Sequence, residues 1–161
     1  MDEINRSTLL LIGLDDNKTR VITYDSDYLV DESARDIVNQ SCINFGNTLM
    51  QRIKMTKSLV NISSKAPVLI EESRDIIFFP LKSPRLKNNI WVSFNNLNSY
   101  DKIDDKTRLN FKGNKTILLD FSYYIFDNQV TKAILLHYEI KKEEKVYKKR
   151  TFSFIFKDFM V

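Results

Sequence analysis

Hydrophobic residues near the start of the chain form two short runs with a polar break between them. Residues 8–14 and 19–24 are apolar and rich in β-branched side chains, and the four residues between them, Asp15-Asp16-Asn17-Lys18, are polar. Two such runs joined by a short polar segment are typical of a β-hairpin. The pattern therefore predicts two paired antiparallel strands at residues 8–24.

The spacing of apolar residues then changes to that of a helix. Ser33 with Asp36 three residues later is a capping-box pattern, and apolar positions recur at helical spacing up to Phe45. Residues 47–57 predict a second helix that carries three cations: Arg52, Lys54 and Lys57. Two helices around Gly46 could form either a helix-turn-helix or a hairpin that packs on the core, and the sequence leaves both open.

The middle of the chain alternates between short apolar runs and polar turns. Four runs predict strands: residues 67–71, 75–79, 90–95 and 115–120. Residues 110–114 (Asn-Phe-Lys-Gly-Asn) predict a turn, and residues 101–106, rich in Asp and Lys, predict a solvated loop.

The last forty residues contain two patterns. Residues 122–139 fit both a helical face and a strand-like alternation, and we favour the helix. After the charged segment 141–150, Phe152, Phe154 and Phe156 alternate with other residues and predict a C-terminal strand.

Together these elements predict the fold class. The strands come as near neighbours and not as regular βαβ units, so we expect an α+β fold with a mainly antiparallel β-sheet and two or three helices. No internal repeat, low-complexity block or linker interrupts residues 1–161. We therefore expect a single compact domain.

Composition excludes several classes of protein. One cysteine and one histidine cannot build a usual Cys/His zinc site, and no glycine-rich phosphate loop is present, so we expect neither metal nor cofactor. Apolar runs such as Leu9–Ile12 are too short to cross a bilayer, and the first residues lack the pattern of a secretory signal. The expected location is the cytoplasm, without membrane attachment.

Charge is segregated along the chain. Residues 1–40 have net charge −5 (4 cations against 9 carboxylates), residues 41–90 have +5 (8 against 3) and residues 141–161 have +4 (7 against 3). Clustered cations favour a polyanion as partner, because neutralising phosphates releases counterions. Lysine-rich loops that merely solvate the fold would give the same totals, so charge alone does not decide between these interpretations.

Candidates for catalysis are few. Cys42 and His137 are the only thiol and the only imidazole, and both lie on apolar helical faces. A cysteine-dependent hydrolase using this pair is a third hypothesis, but a lone cysteine on such a face is far more often a small core residue. We expect no enzyme activity.

The segment between two predicted strands, residues 82–89, has the sequence Lys-Ser-Pro-Arg-Leu-Lys-Asn-Asn. A loop that presents Arg, Lys and Asn on a rigid edge can enter the narrow minor groove of A/T-rich DNA, where the negative potential is strongest and the bases offer acceptors. An ordinary exposed β-turn would have similar residues. Both interpretations stay open at this point.

A series of motifs in fixed order resembles the ComK family of competence transcription factors. The resemblance spans roughly residues 40–137 and rests on Ser41-Cys42-x-x-Phe45-Gly46, Arg52, Ile62-Ser63-x-Lys65-x-Pro67, Ile77-Phe78-Phe79-Pro80, Ser83, Arg85, Trp91-Val92-Ser93 and Ser122-x-x-x-Phe126-x-Asn128-Gln129-Val130. Each motif is weak alone, but their order is specific.

The resemblance implies an activator of genes for DNA uptake and natural transformation. It implies binding to paired A/T-rich boxes of double-stranded DNA through the minor groove, as a homodimer or higher oligomer that works with RNA polymerase at the nucleoid. It also implies regulated proteolysis through an adaptor of a Clp-type protease.

The candidate DNA-binding residues are cations and amides within residues 52–89. Expected minor-groove contacts are Arg85, Lys87, Asn88 and Asn89. Expected phosphate contacts are Arg52, Lys54, Lys57, Lys65 and Lys82. The alternative function is a non-catalytic protein-interaction module, whose basic face docks an acidic partner and whose aromatic segment (Phe152, Phe154 and Phe156) adds a strand to that partner. Under the family resemblance, the same segment could instead bind an adaptor, or it could be an edge strand that completes the sheet.

Overall fold

The computed structural model describes the backbone of residues 2–160 and the side chains of residues 2–153 and 155. Within that range the strands are β1 (Thr8–Gly13), β2 (Thr19–Thr23), β3 (Asp27–Val30), β4 (Val68–Glu71), β5 (Ile76–Pro80), β6 (Ile90–Ser93), β7 (Leu97–Ile103), β8 (Lys106–Phe111) and β9 (Lys115–Leu119). The helices are α1 (Ala34–Asn44), α2 (Leu49–Val60) and α3 (Tyr123–Met160). A short 3-10 turn, Asp15–Asn17, joins the first two strands.

The strands form two antiparallel sheets. The larger sheet has six strands in the order β3-β2-β1-β6-β5-β4, and the smaller sheet has the order β7-β8-β9. Each neighbouring pair is antiparallel, which confirms the predicted α+β class and the hairpin at residues 8–24.

The six-stranded sheet has a hydrophobic cluster on each face, because side chains alternate along every strand. Leu11 and Trp91 point to the face covered by α1. Leu10 and Val92 point to the other face, where α3 and the smaller sheet pack. The helix α2 lies beside β4, and its apolar residues enter both clusters.

The predicted cap at the start of α1 is present, and α2 begins with a cap that was not predicted. The Ser33 hydroxyl accepts a hydrogen bond from the Asp36 backbone N–H at 3.1 Å. At the next helix, Thr48 and Gln51 form a reciprocal capping box, with distances of 2.7 and 3.2 Å. These local bonds satisfy N–H groups that a helix leaves free at its start. Both helices bury their apolar sides, as expected for a helical hairpin that packs on the core.

The predicted helix at residues 122–139 is confirmed, but the predicted C-terminal strand is wrong. One helix, α3, runs from Tyr123 to Met160, so the backbone at Phe152, Phe154 and Phe156 is helical. Residues 141–150 are nearly all Lys, Glu and Arg, which are good helix formers, and no Gly or Pro interrupts them. The helix therefore propagates through the segment that was expected to end it. The side chains of Phe154 and Phe156 lie outside the described side chains.

Three strands, β3, β7 and β8, were not predicted from the sequence. Residues 101–106, predicted as a loop, form a hairpin whose turn is at Asp104, where φ is +54°. The outer face of this hairpin is polar, and Arg108 bonds Asp101 across the strands at 3.0 Å. Such a strand has few apolar positions to reveal it. The predicted turn at 110–114 is shorter, because β8 continues to Phe111.

Candidate nucleic-acid interface

The β5–β6 loop (residues 82–89) is held in shape by the side-chain amide of Asn89. The Asn89 Oδ1 atom accepts hydrogen bonds from the backbone N–H groups of Lys82 (2.9 Å) and Ile90 (2.8 Å). Its Nδ2 atom donates to the carbonyls of Lys82 and Ser83, both at 2.9 Å. Two donors and two acceptor sites are all that an asparagine amide has. Asn89 is fully buried, so we no longer expect it to contact a base.

The stem of this loop also packs against β1. The Gly13 backbone N–H donates to the Asn89 carbonyl at 2.8 Å. A Cβ atom at Gly13 would lie 2.6 Å from the Asn88 Cα atom, which is closer than real Cβ contacts. At the tip, the Leu86 N–H donates to the Ser83 carbonyl at 3.0 Å and closes a turn. The loop is therefore fixed at both its stem and its tip.

The β5–β6 loop forms one wall of a groove of about 340 Å³ that we call the basic groove. Its other walls come from α1, α2 and the segment before β4. Four cations line it: Arg35, Lys57, Lys65 and Arg85. The apolar lining includes Leu49, Met50, Ile53 and Pro84, and no carboxylate is among the lining residues. Cations gathered without acidic neighbours produce a strong positive potential, which suits a polyanion.

Lys65 is positioned by a buried residue of α3. The Gln129 Nε2 atom donates to the carbonyls of Lys65 and Pro80, both at 2.7 Å. Next to it, the Lys132 ammonium donates to the Ser64 carbonyl at 2.8 Å. Desolvation, and then the positive charge of Lys65, lower the pKa of Lys132. A fifth cation therefore stands beside the basic groove.

Two cations at or beside the basic groove, Arg35 and Lys132, were not predicted from the sequence. Arg35 lies at the start of α1, and its guanidinium Nη1 atom approaches the Arg85 carbonyl at 3.5 Å. It belongs to the acidic quarter of the chain, where charge counting gave no reason to select a cation. Lys132 lies in a stretch of zero net charge, so only the fold shows its proximity to Lys65.

The structure brings together three of the nine predicted residues, Lys57, Lys65 and Arg85, at the basic groove. Lys54 is exposed on α2, and Lys82 and Asn88 are half-buried in the loop, but none of these lines the groove. Lys87 is exposed on the opposite side of the loop tip and lines a cavity with carboxylates of the N-terminal quarter.

Arg52 has a different environment from the other predicted phosphate contacts. Its side chain is only 4% exposed, and its Nη2 atom donates to the Phe45 carbonyl at 3.2 Å. A buried guanidinium cannot reach a phosphate without rearrangement of α2, so we no longer expect Arg52 to contact DNA.

The two residues of the hypothetical hydrolase pair, Cys42 and His137, do not lie together. Cys42 is fully buried on the inner face of α1, and desolvation raises the pKa of its thiol to about 12, although the charge of Arg52 partly opposes this. His137 lies on α3, with its ring 5.7 Å from that of Phe94. The six-stranded sheet separates the two residues, so they do not form a dyad.

The described residues contain neither a metal-binding cluster nor a membrane-spanning helix. Among the residues that the structure describes, no group of three His, Cys, Asp or Glu side chains is placed to hold a metal ion. Within the same part of the chain, no helix combines the length and the apolar character needed to span a membrane.

Known proteins resemble this chain over most of its length. The family model described as "ComK protein" matches residues 2–145. A curated protein named "Competence transcription factor", from Bacillus subtilis (strain 168), is 28% identical over 156 residues, which cover 93% of this chain and 81% of that protein. No solved structure matches. The matched region contains the whole basic groove and the β5–β6 loop, and it extends beyond the motifs at residues 40–137.

Proposed function

Because its family model matches residues 2–145, this chain belongs to the ComK protein family, and we propose that it is a transcription activator of competence genes that binds double-stranded DNA at the basic groove. Family membership and the name of the relative support regulation of transcription in competence. The observation that carries DNA binding is the gathering of Arg35, Lys57, Lys65 and Arg85 around a groove without carboxylates.

We assign different roles to the loop and to the rest of the groove. Arg85 is exposed on the fixed β5–β6 loop, so it can enter a minor groove, where A/T-rich sequences have the most negative potential. Lys87 and Asn88 on the same loop are secondary candidates. Lys57, Lys65 and Arg35 contact phosphates, with Lys54 and Lys82 at the margin. Phosphate contacts position the protein, whereas the loop selects the sequence.

Further partners follow from the family and not from the geometry. We propose that the protein acts at the nucleoid as a homodimer or higher oligomer, works with RNA polymerase, and is degraded through an adaptor of a Clp-type protease. We propose no catalytic reaction and no cofactor for it.

A second candidate function has its own support. The apolar part of the basic groove, Leu49, Met50 and Ile53 beneath a cationic rim, also fits an acidic peptide with an apolar side chain. This would be a protein-interaction module. Its proposed strand addition through residues 152–156 is no longer tenable, because that segment is helical.

The test is binding to two labelled duplexes of equal length across a salt series. One duplex has two A-tract/T-tract boxes a helical turn apart, and the other is G/C-rich. Arg85→Ala should cost about 1 to 3 kcal/mol of binding free energy, chiefly on the A/T duplex. The matched control is Lys112→Ala, an exposed lysine outside the groove, which should leave both affinities unchanged.

Two outcomes would contradict the proposal. Equal losses on the A/T and G/C duplexes would remove the sequence-selecting role of Arg85. No binding of the unmodified protein to either duplex would favour the protein-interaction module.

A further inference from the structure

Leu86 is an apolar side chain at the tip of a basic loop. It is 44% exposed, and its neighbours Arg85 and Lys87 are exposed on either side of it. Exposed leucines are common on protein surfaces and need no explanation by themselves. This one stands in the loop that we propose to enter DNA, where a leucine would meet the edges of stacked bases.

The loop around Leu86 is stiff. The Leu86 N–H bonds the Ser83 carbonyl at the tip, and Asn89 uses its whole amide to close the stem. Gly13 allows the stem to lie against β1, since any side chain there would collide with Asn88. A preorganised loop loses little conformational entropy on binding, so more of the binding energy remains to deform the partner.

The turn between β1 and β2 offers a contrast within the same molecule. Leu14 is 39% exposed, which is close to the exposure of Leu86. Asp15 and Asp16 follow it, so phosphates would be repelled from that turn. An exposed leucine is thus present in both turns, but Leu86 stands directly between two exposed cations, whereas Leu14 is followed by two carboxylates. The one cation in the Leu14 turn, Lys18, is paired with Asp31 at 3.8 Å.

We propose that Leu86 is an apolar wedge that enters between two base pairs from the minor groove and partly unstacks them, so that binding kinks the DNA. The inference rests on the proposed DNA binding. Proteins that bind the minor groove insert Leu, Phe, Ile, Met or Pro in this way, and the kink lets the duplex contact more protein surface. Here the kink brings backbone phosphates toward Lys57, Lys65 and Arg35 in the basic groove.

The experiment uses two optical signals on the A/T duplex. 2-Aminopurine replaces single adenines in successive duplexes, because its fluorescence rises when a base unstacks, and a dye pair at the duplex ends reports bending by energy transfer. The unmodified protein should raise fluorescence at a defined step and bend the duplex by roughly 20–90°. Leu86→Ala should lose both signals. It should weaken binding by no more than about tenfold, because lost burial is offset by unstacking that no longer occurs.

Two variants serve as controls. Leu86→Met keeps an apolar side chain of similar size and should retain both signals, whereas Leu14→Ala removes the exposed leucine of the β1–β2 turn and should leave both unchanged. Leu86→Ala should also melt at the temperature of the unmodified protein, since the side chain packs little.

The outcomes separate the wedge from the proposed function. Binding of the unmodified protein without unstacking, or unstacking that persists in Leu86→Ala, would overturn the wedge and leave DNA binding intact. No binding of the unmodified protein to the A/T duplex would overturn both.

Discussion

Two basic regions of this chain have almost the same net charge and different structures. Residues 41–90 have net charge +5 and residues 141–161 have +4. In the first region, Lys57, Lys65 and Arg85 meet at the basic groove on elements anchored in the core. Residues 141–160 of the second region form the C-terminal part of α3, where no side chain from Lys141 to Ser153 is buried. Equal charge totals therefore do not imply equal sites.

The two regions also differ in how their cations are neutralised. Lys141 bonds Asp75 and lies 3.4 Å from Glu144, and the hydrogen bond to Asp75 raises the pKa of Lys141. Among the described residues, none of the four cations of the basic groove forms an ion pair. Within the described part of the chain, Lys145, Lys148 and Lys149 on α3 form no ion pair either, but they are spread along one exposed helix that also carries Glu143 and Glu144. The groove cations converge on one concave surface without carboxylates, so the groove should contribute more to DNA binding than the helix does.

The largest expected effect comes from neutralising three cations in each region. Arg35→Gln/Lys57→Gln/Lys65→Gln should weaken binding to duplex DNA by roughly 100-fold at low salt and flatten the salt slope by about three units. The matched variant, Lys145→Gln/Lys148→Gln/Lys149→Gln, removes the same charge from α3 and should change affinity by only a few-fold. Fluorescence anisotropy across a salt series measures both quantities.

Equal effects of the two triple variants would contradict the difference proposed between the groove and the helix. If the two triple variants lost affinity and salt slope equally, the protein would bind DNA through its total charge, and the basic groove would have no special role. Circular dichroism should first show that both variants keep the fold of the unmodified protein.

The fold was largely predictable because its signals are local. Ser33 caps α1 through its neighbour Asp36, and the two runs around Asp15 pair as adjacent strands. The structure at the end of α3 was not predictable, because alternating phenylalanines fit a strand or a helix equally well. Only the helix that precedes them decides which forms.

The candidate site was less predictable because its residues are distant in sequence. Arg35, Lys57, Lys65 and Arg85 come from four separate parts of the chain, and only the packing of α1 and α2 beside β4 brings them together. Asn89 looked like a base contact from its basic neighbours. Its burial depends on the turn it closes and on Gly13, neither of which its immediate sequence indicates.

An intermediate effect on DNA affinity should follow when the β5–β6 loop, which forms one wall of the basic groove, is displaced without any change of charge. In Gly13→Ala, the new Cβ atom collides with the backbone at Asn88, so the β5–β6 loop must shift. We expect a loss of about 1 to 3 kcal/mol in the free energy of unfolding, as for other overpacked sites. Affinity for the A/T duplex should fall by roughly tenfold, because the binding loop would no longer be preorganised.

Gly46→Ala is the control for a general loss of stability. Gly46 has φ +103°, which strains any other residue, but a Cβ atom there meets nothing within 4 Å. Urea unfolding should show destabilisation in both variants, while DNA affinity should fall only in Gly13→Ala. A parallel loss of affinity in Gly46→Ala would mean that stability, and not loop position, controls binding.

The smallest effect on DNA affinity is expected from a substitution at Arg52. This residue counts as a cation in the sequence but is buried and does not contribute to the charged surface. Arg52→Met removes a buried guanidinium whose Nε atom has no hydrogen-bond partner, and it fills similar space with an apolar side chain. Because this guanidinium is buried and lies outside the lining of the basic groove, DNA affinity should change by less than about twofold and the salt slope should stay constant. Lys57→Met, five residues later on the exposed side of α2, should instead flatten the slope by about one unit. Equal changes of salt slope in the two variants would mean that Arg52 becomes exposed when the protein binds DNA. The assignment of Arg52 to the core and of Lys57 to the basic groove would then be wrong.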